Sequence, residues 1–195
     1  MYSFFAMMAR MKYIERWALM RNSTKENISE HSLEVAMLAH GLAIISNERC
    51  GNTLDVNEIA LMGLYHDANE IITGDMPTPI KYYDEDIRDA YKRVENVACH
   101  TMINKLPDYM QKYYRPLFFH DKDRESAWRI VKAADKLSAL IKCREEVRAG
   151  NQEFATAKRA SERTLQKMQM PEVDIFMEEF LPAYELTLDE LQQQS

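Results

Sequence analysis

Helical periodicity is the feature that most constrains the fold of this 195-residue chain. Apolar residues recur three or four positions apart in long stretches, and only 5 Gly and 6 Pro are available to interrupt them. Helices with this spacing bury one face against one another. No segment shows a convincing strand pattern. The sequence therefore predicts an all-α helical bundle, and its length suits a single domain that spans residues 1–195.

Breaks in the pattern predict where the helices begin and end. Two capping-box patterns, N-x-x-E at residues 27–30 and D-x-x-E at residues 55–58, mark helix starts. The stretch 73–80, with one Gly and two Pro, is the clearest loop. The expected helices cover about residues 3–19, 27–49, 55–72, 84–106, a short stretch after Pro107, 125–148, 152–168 and 172–192.

Charge and cysteine content narrow the class of partner and the compartment. The net charge of −6 argues against a nucleic-acid partner, because binding to a phosphate backbone needs a basic surface. The three cysteines form no C-x-x-C pair, which disfavours disulfides and a thiolate zinc site and fits a reducing compartment. The apolar run near the N-terminus is shorter than a signal sequence, and no later stretch approaches a membrane span. We therefore expect a cytoplasmic protein that binds neither nucleic acid nor membrane.

The stretch Y-H-D-A-N-E in the third predicted helix carries side chains that bind metals. On a continuous helix, Glu70 would lie one turn from His66 on the same face, with Asp67 beside them. Two adjacent ligands leave an ion under-coordinated, so other helices must supply donors. His31, early in the second predicted helix, is one candidate. Asp135, between two alanines and a Leu-rich half-turn, is the other, because a buried carboxylate without a partner is costly.

Two imidazoles and two carboxylates without a thiolate suit a divalent ion such as Mn²⁺, Co²⁺, Fe²⁺ or Zn²⁺. From the residues alone, a metal site and an ordinary polar helix surface are about equally well supported. His40 and His100 are expected to be hydrogen-bonded core residues rather than ligands.

The order His31, His66-Asp67, Asp135 resembles the H…HD…D signature of the HD-domain metal-dependent phosphohydrolases. Longer stretches resemble the bacterial 5′-deoxynucleotidases of the YfbR type, and they follow one another in order over nearly the whole chain. These stretches are RWALMRN (16–22), ENISEHSLEVAMLAH (26–40), LYHDANEIITGDMPTPIKY (64–82) and KAADKLSALIKC (132–143).

This resemblance implies an HD-domain helical bundle that hydrolyses deoxyribonucleoside 5′-monophosphates, needs one divalent cation and forms a homodimer. Co²⁺ or Mn²⁺ is the expected ion, with Zn²⁺, Fe²⁺ and Mg²⁺ as alternatives. The implied metal ligands are His31, His66, Asp67 and Asp135, and the implied catalytic residues are Glu70 and Arg16. The implied substrate contacts are Arg16, Trp17, Asp67, Asp75, Met76, Pro77, Thr78 and Asp135.

The chemistry of the implied substrate contacts suits these roles. The planar guanidinium of Arg16 can orient a phosphate group. We expect the ring of Trp17 to pack against the sugar and to leave no room for a 2′-hydroxyl. Asp75 and Thr78 could hold the nucleoside from the loop, which its two prolines stiffen.

Two alternatives stay open at this point. The first is another HD phosphohydrolase, acting on a deoxynucleoside triphosphate or a guanosine polyphosphate. No Arg or Lys lies between His66 and Lys81, which favours a monophosphate, and Ile71 stands where guanosine-tetraphosphate hydrolases typically carry a second acid. The second alternative is a metal-binding regulatory module without turnover, which the retained Glu70 disfavours.

Overall fold

The computed structural model describes residues 1–81 and 83–193, apart from the side chains of Thr78 and Pro79. This part of the chain is helical and holds no β-strand, which confirms the predicted all-α fold. None of its helices has the length and apolar character needed to cross a membrane. The helices are α1 (Phe4–Met8), α2 (Ile28–Cys50), α3 (Val56–Tyr65), α4 (Glu70–Thr73), α5 (Thr78–Lys81), α6 (Glu85–Ile103), α7 (Asp108–Phe118), α8 (Glu125–Arg148), α9 (Ala155–Met168), α10 (Pro171–Glu179) and α11 (Leu188–Gln192).

The two longest helices, α2 and α8, form the centre of the bundle. Helix α2 packs against α3, α8 and α10, and α8 also packs against α9. Their contact faces are rich in small and branched apolar residues that are fully buried, such as Ala39 and Leu42 in α2 and Ala134 and Leu137 in α8. Each buried leucine contributes about 1.5–3 kcal/mol through removal from water. The surrounding core therefore fixes the position of any polar residue that lies within these apolar faces.

The predicted start of α2 is confirmed in detail. Asn27 Oδ1 accepts hydrogen bonds from the backbone N–H groups of Ser29 and Glu30, at 3.0 and 3.1 Å. The carboxylate of Glu30 accepts in return from the backbone N–H of Asn27, at 3.1 Å. Because this capping box fixes the first turn of α2, it also fixes the height of His31 along the helix.

The third helix is shorter than the sequence predicted. It ends at Tyr65 rather than near residue 72, and the chain turns through residues 66–69 before α4. The ring Nδ1–H of His66 donates to the carbonyl of Gly63 at 2.7 Å, the acceptor that the next helical turn would use. The prediction that Glu70 follows His66 on one continuous helix face is therefore wrong, and this turn sets the position of Glu70.

The N-terminal segment also departs from its predicted single helix over residues 3–19. Helix α1 and a 3₁₀ turn at Met11–Tyr13 are followed by extended backbone. This backbone pairs antiparallel with the residues before α2: Arg16 N–H donates to the Glu26 carbonyl at 2.9 Å, and Ile28 N–H donates to the Ile14 carbonyl at 3.0 Å. These bonds replace helical ones and bring Arg16 to the start of α2.

Other predicted boundaries hold to within a few residues. The helix over 125–148 coincides with α8, and the helix over 84–106 ends at Ile103. The predicted loop over 73–80 ends in the short helix α5. The stretch 172–192 is split into α10, a 3₁₀ turn at Leu181–Glu185 and α11, with Pro182 near the start of the turn.

Gly63 lies at a close contact between the backbones of α3 and α2. A Cβ atom at this position would lie 2.9 Å from Ala36 Cα and 3.1 Å from the Val35 carbonyl oxygen. Because backbone atoms cannot swing aside, we expect Gly63→Ala to lower the free energy of unfolding by about 1–3 kcal/mol, measured by urea denaturation. Gly41→Ala is the control, since no atom lies within 4 Å of its added Cβ. Equal stability of the two variants would contradict the packing argument.

Candidate metal centre and active site

The buried imidazole of His31, the partly buried imidazole of His66 and the carboxylate of Asp67 converge where α2, the turn after α3 and α8 meet. The ligand atoms of His31, His66 and Asp67 lie within 4.8 Å of one another. Asp67 Oδ2 is 3.1 Å from His66 Nε2 and 3.5 Å from His31 Nε2. Asp135 Oδ1 borders this cluster from α8, 3.4 Å from His31 Nε2. All four side chains singled out in the sequence as metal-binding therefore meet in one place.

The hydrogen bonds behind the imidazoles fix which ring nitrogen faces the cluster. The hydroxyl of Ser138 donates to Glu34 Oε2 at 2.5 Å, so it accepts from His31 Nδ1–H at 3.0 Å. His66 Nδ1–H donates to the carbonyl of Gly63. In the neutral tautomers that these bonds select, both Nε2 atoms face the cluster with a free lone pair, and both are buried with no hydrogen-bond partner among the described residues. Neutral imidazoles oriented by such bonds are the form that binds metal ions.

The electrostatic field of the cluster favours positive charge. Burial opposes ionisation of Asp67 and Asp135, but His66 and His31 hold the pKa of Asp67 well below its usual value. Lys136 and His31 likewise lower the pKa of Asp135. Burial lowers the pKa of His31, yet its bonds to Asp135 and Asp67 raise it overall. Two ionised carboxylates thus attract a cation to the point at which both Nε2 lone pairs aim.

This donor set fits a divalent metal ion. Two imidazole nitrogens and two carboxylate oxygens without a thiolate are typical of ions that keep coordination positions open for water and substrate. The two orphaned Nε2 atoms are the observation that requires a ligand, because a buried acceptor without a partner is costly.

Glu70, at the start of α4, is a buried acid beside the cluster. Its side chain is 6% exposed, and its Oε2 atom has no hydrogen-bond partner in the described part of the chain. Burial, followed by the charges of Asp67 and Asp75, raises the pKa of Glu70 to about 10. A carboxyl group with so strongly perturbed a pKa beside a metal-binding cluster is a candidate for proton transfer.

Arg16 and Trp17 share one acceptor, Glu26. Its Oε2 atom accepts from Arg16 Nε at 3.2 Å and from Trp17 Nε1 at 2.8 Å. Arg16 Nη1 is also 3.5 Å from Asp67 Oδ2, so its guanidinium lies against the cluster. Trp17 has a φ of 58°, a left-handed conformation that costs a residue with a side chain about 1–3 kcal/mol. The bonds to Glu26 therefore hold a strained dipeptide beside the cluster.

The segment that leads from Trp17 to α2 is fastened to α8. Glu146, which is 2% exposed, accepts from the backbone N–H groups of Ser23 and Thr24 at 2.8 and 3.1 Å. It also accepts from Lys142 Nζ at 2.6 Å and from Asn151 Nδ2 at 2.8 Å. Sequence reasoning missed Glu146 and Glu26, because their partners are set by the folded chain and not by a local pattern.

The loop between α4 and α5 reaches this dipeptide through Asp75, whose carboxylate accepts from the backbone N–H of Trp17. Met76 and Pro77 are partly buried and make no hydrogen bond to the cluster in the described part of the chain. The side chain of Thr78 lies outside the described residues. The structure thus brings Asp75 to Arg16 and Trp17 and leaves the roles of the other three loop residues as predictions.

The remaining histidines do not join the cluster. His100 is exposed and its Nδ1–H donates to the Asn96 carbonyl at 2.9 Å, so its prediction as a core residue is wrong. His40 is partly buried. The ring of His120 stacks on Trp128, with centroids 4.0 Å apart and an interplanar angle of 13°.

A cleft of about 500 Å³ opens onto the cluster at His66, Asp67 and Asp135. Its walls carry cations that come from separate elements: Lys81 of α5, Arg88 and Lys92 of α6, and Lys132 of α8. The stretch between His66 and Lys81 holds no Arg or Lys, but the fold brings cations to the cleft from other elements. The absence of cations from that stretch therefore does not by itself favour a monophosphate.

An all-α bundle that joins a histidine, a His-Asp pair and a distant aspartate defines the HD-domain class of metal-dependent phosphohydrolases. The fold agrees with this class: an HD-domain phosphohydrolase from Listeria innocua superimposes with a TM-score of 0.80 at 24% identity, covering 93% of this chain and 88% of that one. A family model described as YfbR-like 5′-deoxynucleotidase matches residues 3–184. The chain belongs to the YfbR-like 5′-deoxynucleotidase family, as its sequence motifs indicated, and it is a metal-dependent phosphohydrolase.

Similar proteins carry names that agree with this family. A 5′-deoxynucleotidase from Erwinia tasmaniensis is 50% identical over 192 residues, which cover 98% of this chain and 97% of that protein. One from Vibrio parahaemolyticus is 47% identical over 96% of this chain and 97% of its own length. The fold is also similar to that of a cyanophage S-2L HD phosphohydrolase, solved with dA and one catalytic Zn²⁺ ion, with a TM-score of 0.64 at 18% identity over 93% and 96% of the two chains.

Proposed function

We propose that this protein hydrolyses deoxyribonucleoside 5′-monophosphates to deoxynucleoside and orthophosphate, with one divalent ion held by His31, His66, Asp67 and Asp135. The observation that carries the proposal is the pair of buried, unpartnered Nε2 atoms that face two ionised carboxylates. The names of the relatives at 47–50% identity support the substrate class. We further propose Co²⁺ or Mn²⁺ as the ion, a single-domain chain, a homodimer and a cytoplasmic location, with neither nucleic acid nor membrane as a partner.

Phosphate monoesters hydrolyse very slowly without help, so the site must activate water and neutralise phosphate charge. A divalent ion in such a site lowers the pKa of a bound water and polarises a phosphate oxygen. In the proposed reaction Glu70 accepts the proton of the attacking water in its ionised form, which a divalent cation in the cluster would favour by offsetting the charges of Asp67 and Asp75 that raise its pKa. Water oxygen bonds to phosphorus, the bond between phosphorus and O5′ breaks, O5′ takes up a proton from solvent, and Glu70 returns the proton it accepted to solvent. Arg16, whose guanidinium lies against Asp67, orients the phosphate through its planar fork.

Trp17 and Asp75 would meet the sugar. The Trp17 ring is fixed by its bond to Glu26 and by contact with Phe154, with ring centroids 5.4 Å apart. Since Trp17 is tied to Asp75 through its backbone N–H, the two side chains form one wall of the proposed sugar site. Met76, Pro77 and Thr78 remain proposed contacts of the nucleoside.

The first test is phosphate release from dAMP and AMP by protein stripped of metal and then supplied with Mn²⁺ or Co²⁺. The proposal expects turnover of dAMP only, and only with added metal. Equal turnover of dAMP and AMP would remove the deoxy-specific part of the proposal. Absence of release from both, with metal bound, would remove the nucleotidase activity altogether.

Trp17→Ala tests whether this ring excludes the 2′-hydroxyl. We expect the ratio of kcat/KM for dAMP to that for AMP to fall by about tenfold, the size of a modest loss of steric discrimination. Phe154→Leu is the control, because it removes the ring behind Trp17 and leaves the indole in place. A ratio unchanged by Trp17→Ala would rule out this role.

Glu26→Ala tests whether a shared acceptor positions Arg16 and Trp17. We expect kcat/KM for dAMP to fall about 10- to 100-fold, because both donors lose their fixed orientation and a misplaced group costs rate steeply. Metal affinity should change little, as titration calorimetry can show. Glu15→Ala is the charge-matched control, since Glu15 pairs only with the exposed Lys25 at 2.6 Å in the described residues. Equal activity of Glu26→Ala and the parent would refute the positioning role.

A further inference from the structure

The cationic cleft, defined by Lys81, Arg88, Lys92 and Lys132, has features that a single bound phosphate does not account for. Four cations line one cavity, together with the three acids Asp67, Glu95 and Asp135, in a protein whose net charge is −6. The cavity of about 500 Å³ is large enough for a ligand of nucleotide size. Because it also reaches His66, Asp67 and Asp135, a ligand in the cleft would extend directly from the cluster.

The charges of the cleft are only partly balanced. Lys81 pairs with Glu95 at 2.7 Å, and Arg88 pairs with Asp89 and Glu85 at 3.4 and 3.7 Å. Lys92 and Lys132 have no acidic partner within 4.0 Å in the described part of the chain. Lys92 and Lys132 are exposed side chains that line one cavity, where a bound anion would offset any repulsion between them.

A further donor in the wall has no acceptor. Trp128 lines the same cleft, is 5% exposed, and its indole N–H is buried without a hydrogen-bond partner among the described residues. Buried donors of this kind are usually satisfied by a bound group or water. Lys132 is placed by the same helix as Asp135, three residues earlier and so on a neighbouring part of one helix face. Trp128 and Lys132 therefore line the cleft from the stretch of α8 that leads to Asp135.

We propose that the cationic cleft is a second phosphate subsite, adjacent to the one at the cluster, which binds a phosphate oxyanion through Lys92 and Lys132. The inference rests on the proposed function for the identity of the anion. Two sources supply this chemistry: orthophosphate released by the reaction, and the second phosphate of a deoxynucleoside diphosphate whose first phosphate lies at the cluster. In either case the anion competes with the monophosphate substrate or delays release of its product.

The test is isothermal titration calorimetry of the metal-loaded protein. Orthophosphate, dAMP and α,β-methylene-dADP are titrated in three separate experiments, and contact with dAMP is kept as short as possible. The variant is Lys92→Gln with Lys132→Gln. Its control is Lys158→Gln with Lys167→Gln, which removes the same two charges from α9, outside the cleft. Thermal unfolding and metal content are checked for both double variants, so that a loss of binding reflects the lysines and not the fold or the ion.

We expect the cleft variant to bind orthophosphate or α,β-methylene-dADP about tenfold more weakly than the parent and the α9 variant, as for the loss of charge-assisted hydrogen bonds. If the cleft variant binds orthophosphate more weakly but binds α,β-methylene-dADP with unchanged affinity, the released product is identified as the ligand. A loss for the diphosphate that exceeds the loss for dAMP identifies the longer nucleotide. Unchanged binding of both ligands, or equal losses in the α9 variant, would overturn the proposal. Failure to release phosphate from dAMP would defeat the proposed function alone, because the calorimetry needs no turnover.

Discussion

Glu70→Gln is expected to reduce kcat for dAMP by about 10²–10⁴-fold while the protein keeps its metal affinity within a few fold. The carboxylate is removed at nearly constant volume, so the four proposed ligands keep their positions. What disappears is the group that we propose to accept the proton of the attacking water. The measurement pairs steady-state phosphate release with calorimetric titration of Mn²⁺ into the stripped protein.

The two readouts together make this prediction specific. A variant that loses turnover and metal in parallel would show that Glu70 acts as a ligand or holds the ligands in place. A variant with near-parent turnover would show that another group accepts the proton. Glu15→Gln is the matched control, since Glu15 is a carboxyl outside the cluster that pairs with the exposed Lys25.

The same substitution should stabilise the metal-free protein at neutral and alkaline pH. Burial and the nearby carboxylates raise the pKa of Glu70 from 4.5 to about 10. A raised carboxyl pKa means that the folded state holds the proton more tightly than the unfolded state, so stability falls as pH rises from about 5 to about 10. Glutamine does not titrate and removes this loss. Urea denaturation at pH 7 should therefore favour Glu70→Gln by up to about 3 kcal/mol, with little difference at pH 4.

Glu70 would then lower the stability of the fold while taking part in the proposed reaction, which fits the general trade-off between stability and activity at active sites. In this chain the cost has an identifiable origin, because Glu70 lies under the influence of Asp67 and Asp75 inside the protein. A cation in the cluster would offset that repulsion.

The four cluster residues could be predicted because each is a polar side chain in an otherwise apolar helical context. His31 and Asp135 lie in α2 and α8, whose periodicity is long and continuous, so both helices were predicted nearly to the residue. The position of Glu70 could not be predicted in the same way. The break after Tyr65 depends on a hydrogen bond between the His66 ring and the Gly63 carbonyl, and helical periodicity does not indicate that bond.

The supporting residues could not be predicted either, because their partners are distant in the sequence. Ser138 reaches His31 across 107 positions and Glu34 across 104. Glu146 holds the segment at Ser23 across 123 positions. A periodic pattern identifies which face of a helix is buried and not which side chain it meets there. The resemblance to the family supplied the roles of Arg16 and Trp17, while Glu26, which holds them, emerged only from the structure.

Asp67→Asn is expected to abolish metal binding and, with it, phosphate release. Asp67 Oδ2 is the atom around which the cluster is arranged, since it lies within 3.5 Å of His66 Nε2, His31 Nε2 and Arg16 Nη1. Asparagine keeps the shape and removes the charge, which leaves the cluster with one ionised carboxylate. Loss of residues that merely support a ligand costs about 10–100-fold in metal affinity, so loss of this carboxylate should exceed about 100-fold.

The contrast with Glu70→Gln separates holding the ion from moving the proton. Both variants lose turnover, but Asp67→Asn should lose Mn²⁺ binding in calorimetry and Glu70→Gln should retain it. If Asp67→Asn bound Mn²⁺ as tightly as the parent, the proposed ligand set would be wrong, whatever its activity. Partial recovery of its turnover at saturating Mn²⁺ would instead support the set, because excess metal offsets weakened binding by mass action. In that case Asp67 contributes affinity for the metal ion, and the proposed proton transfer still depends on Glu70.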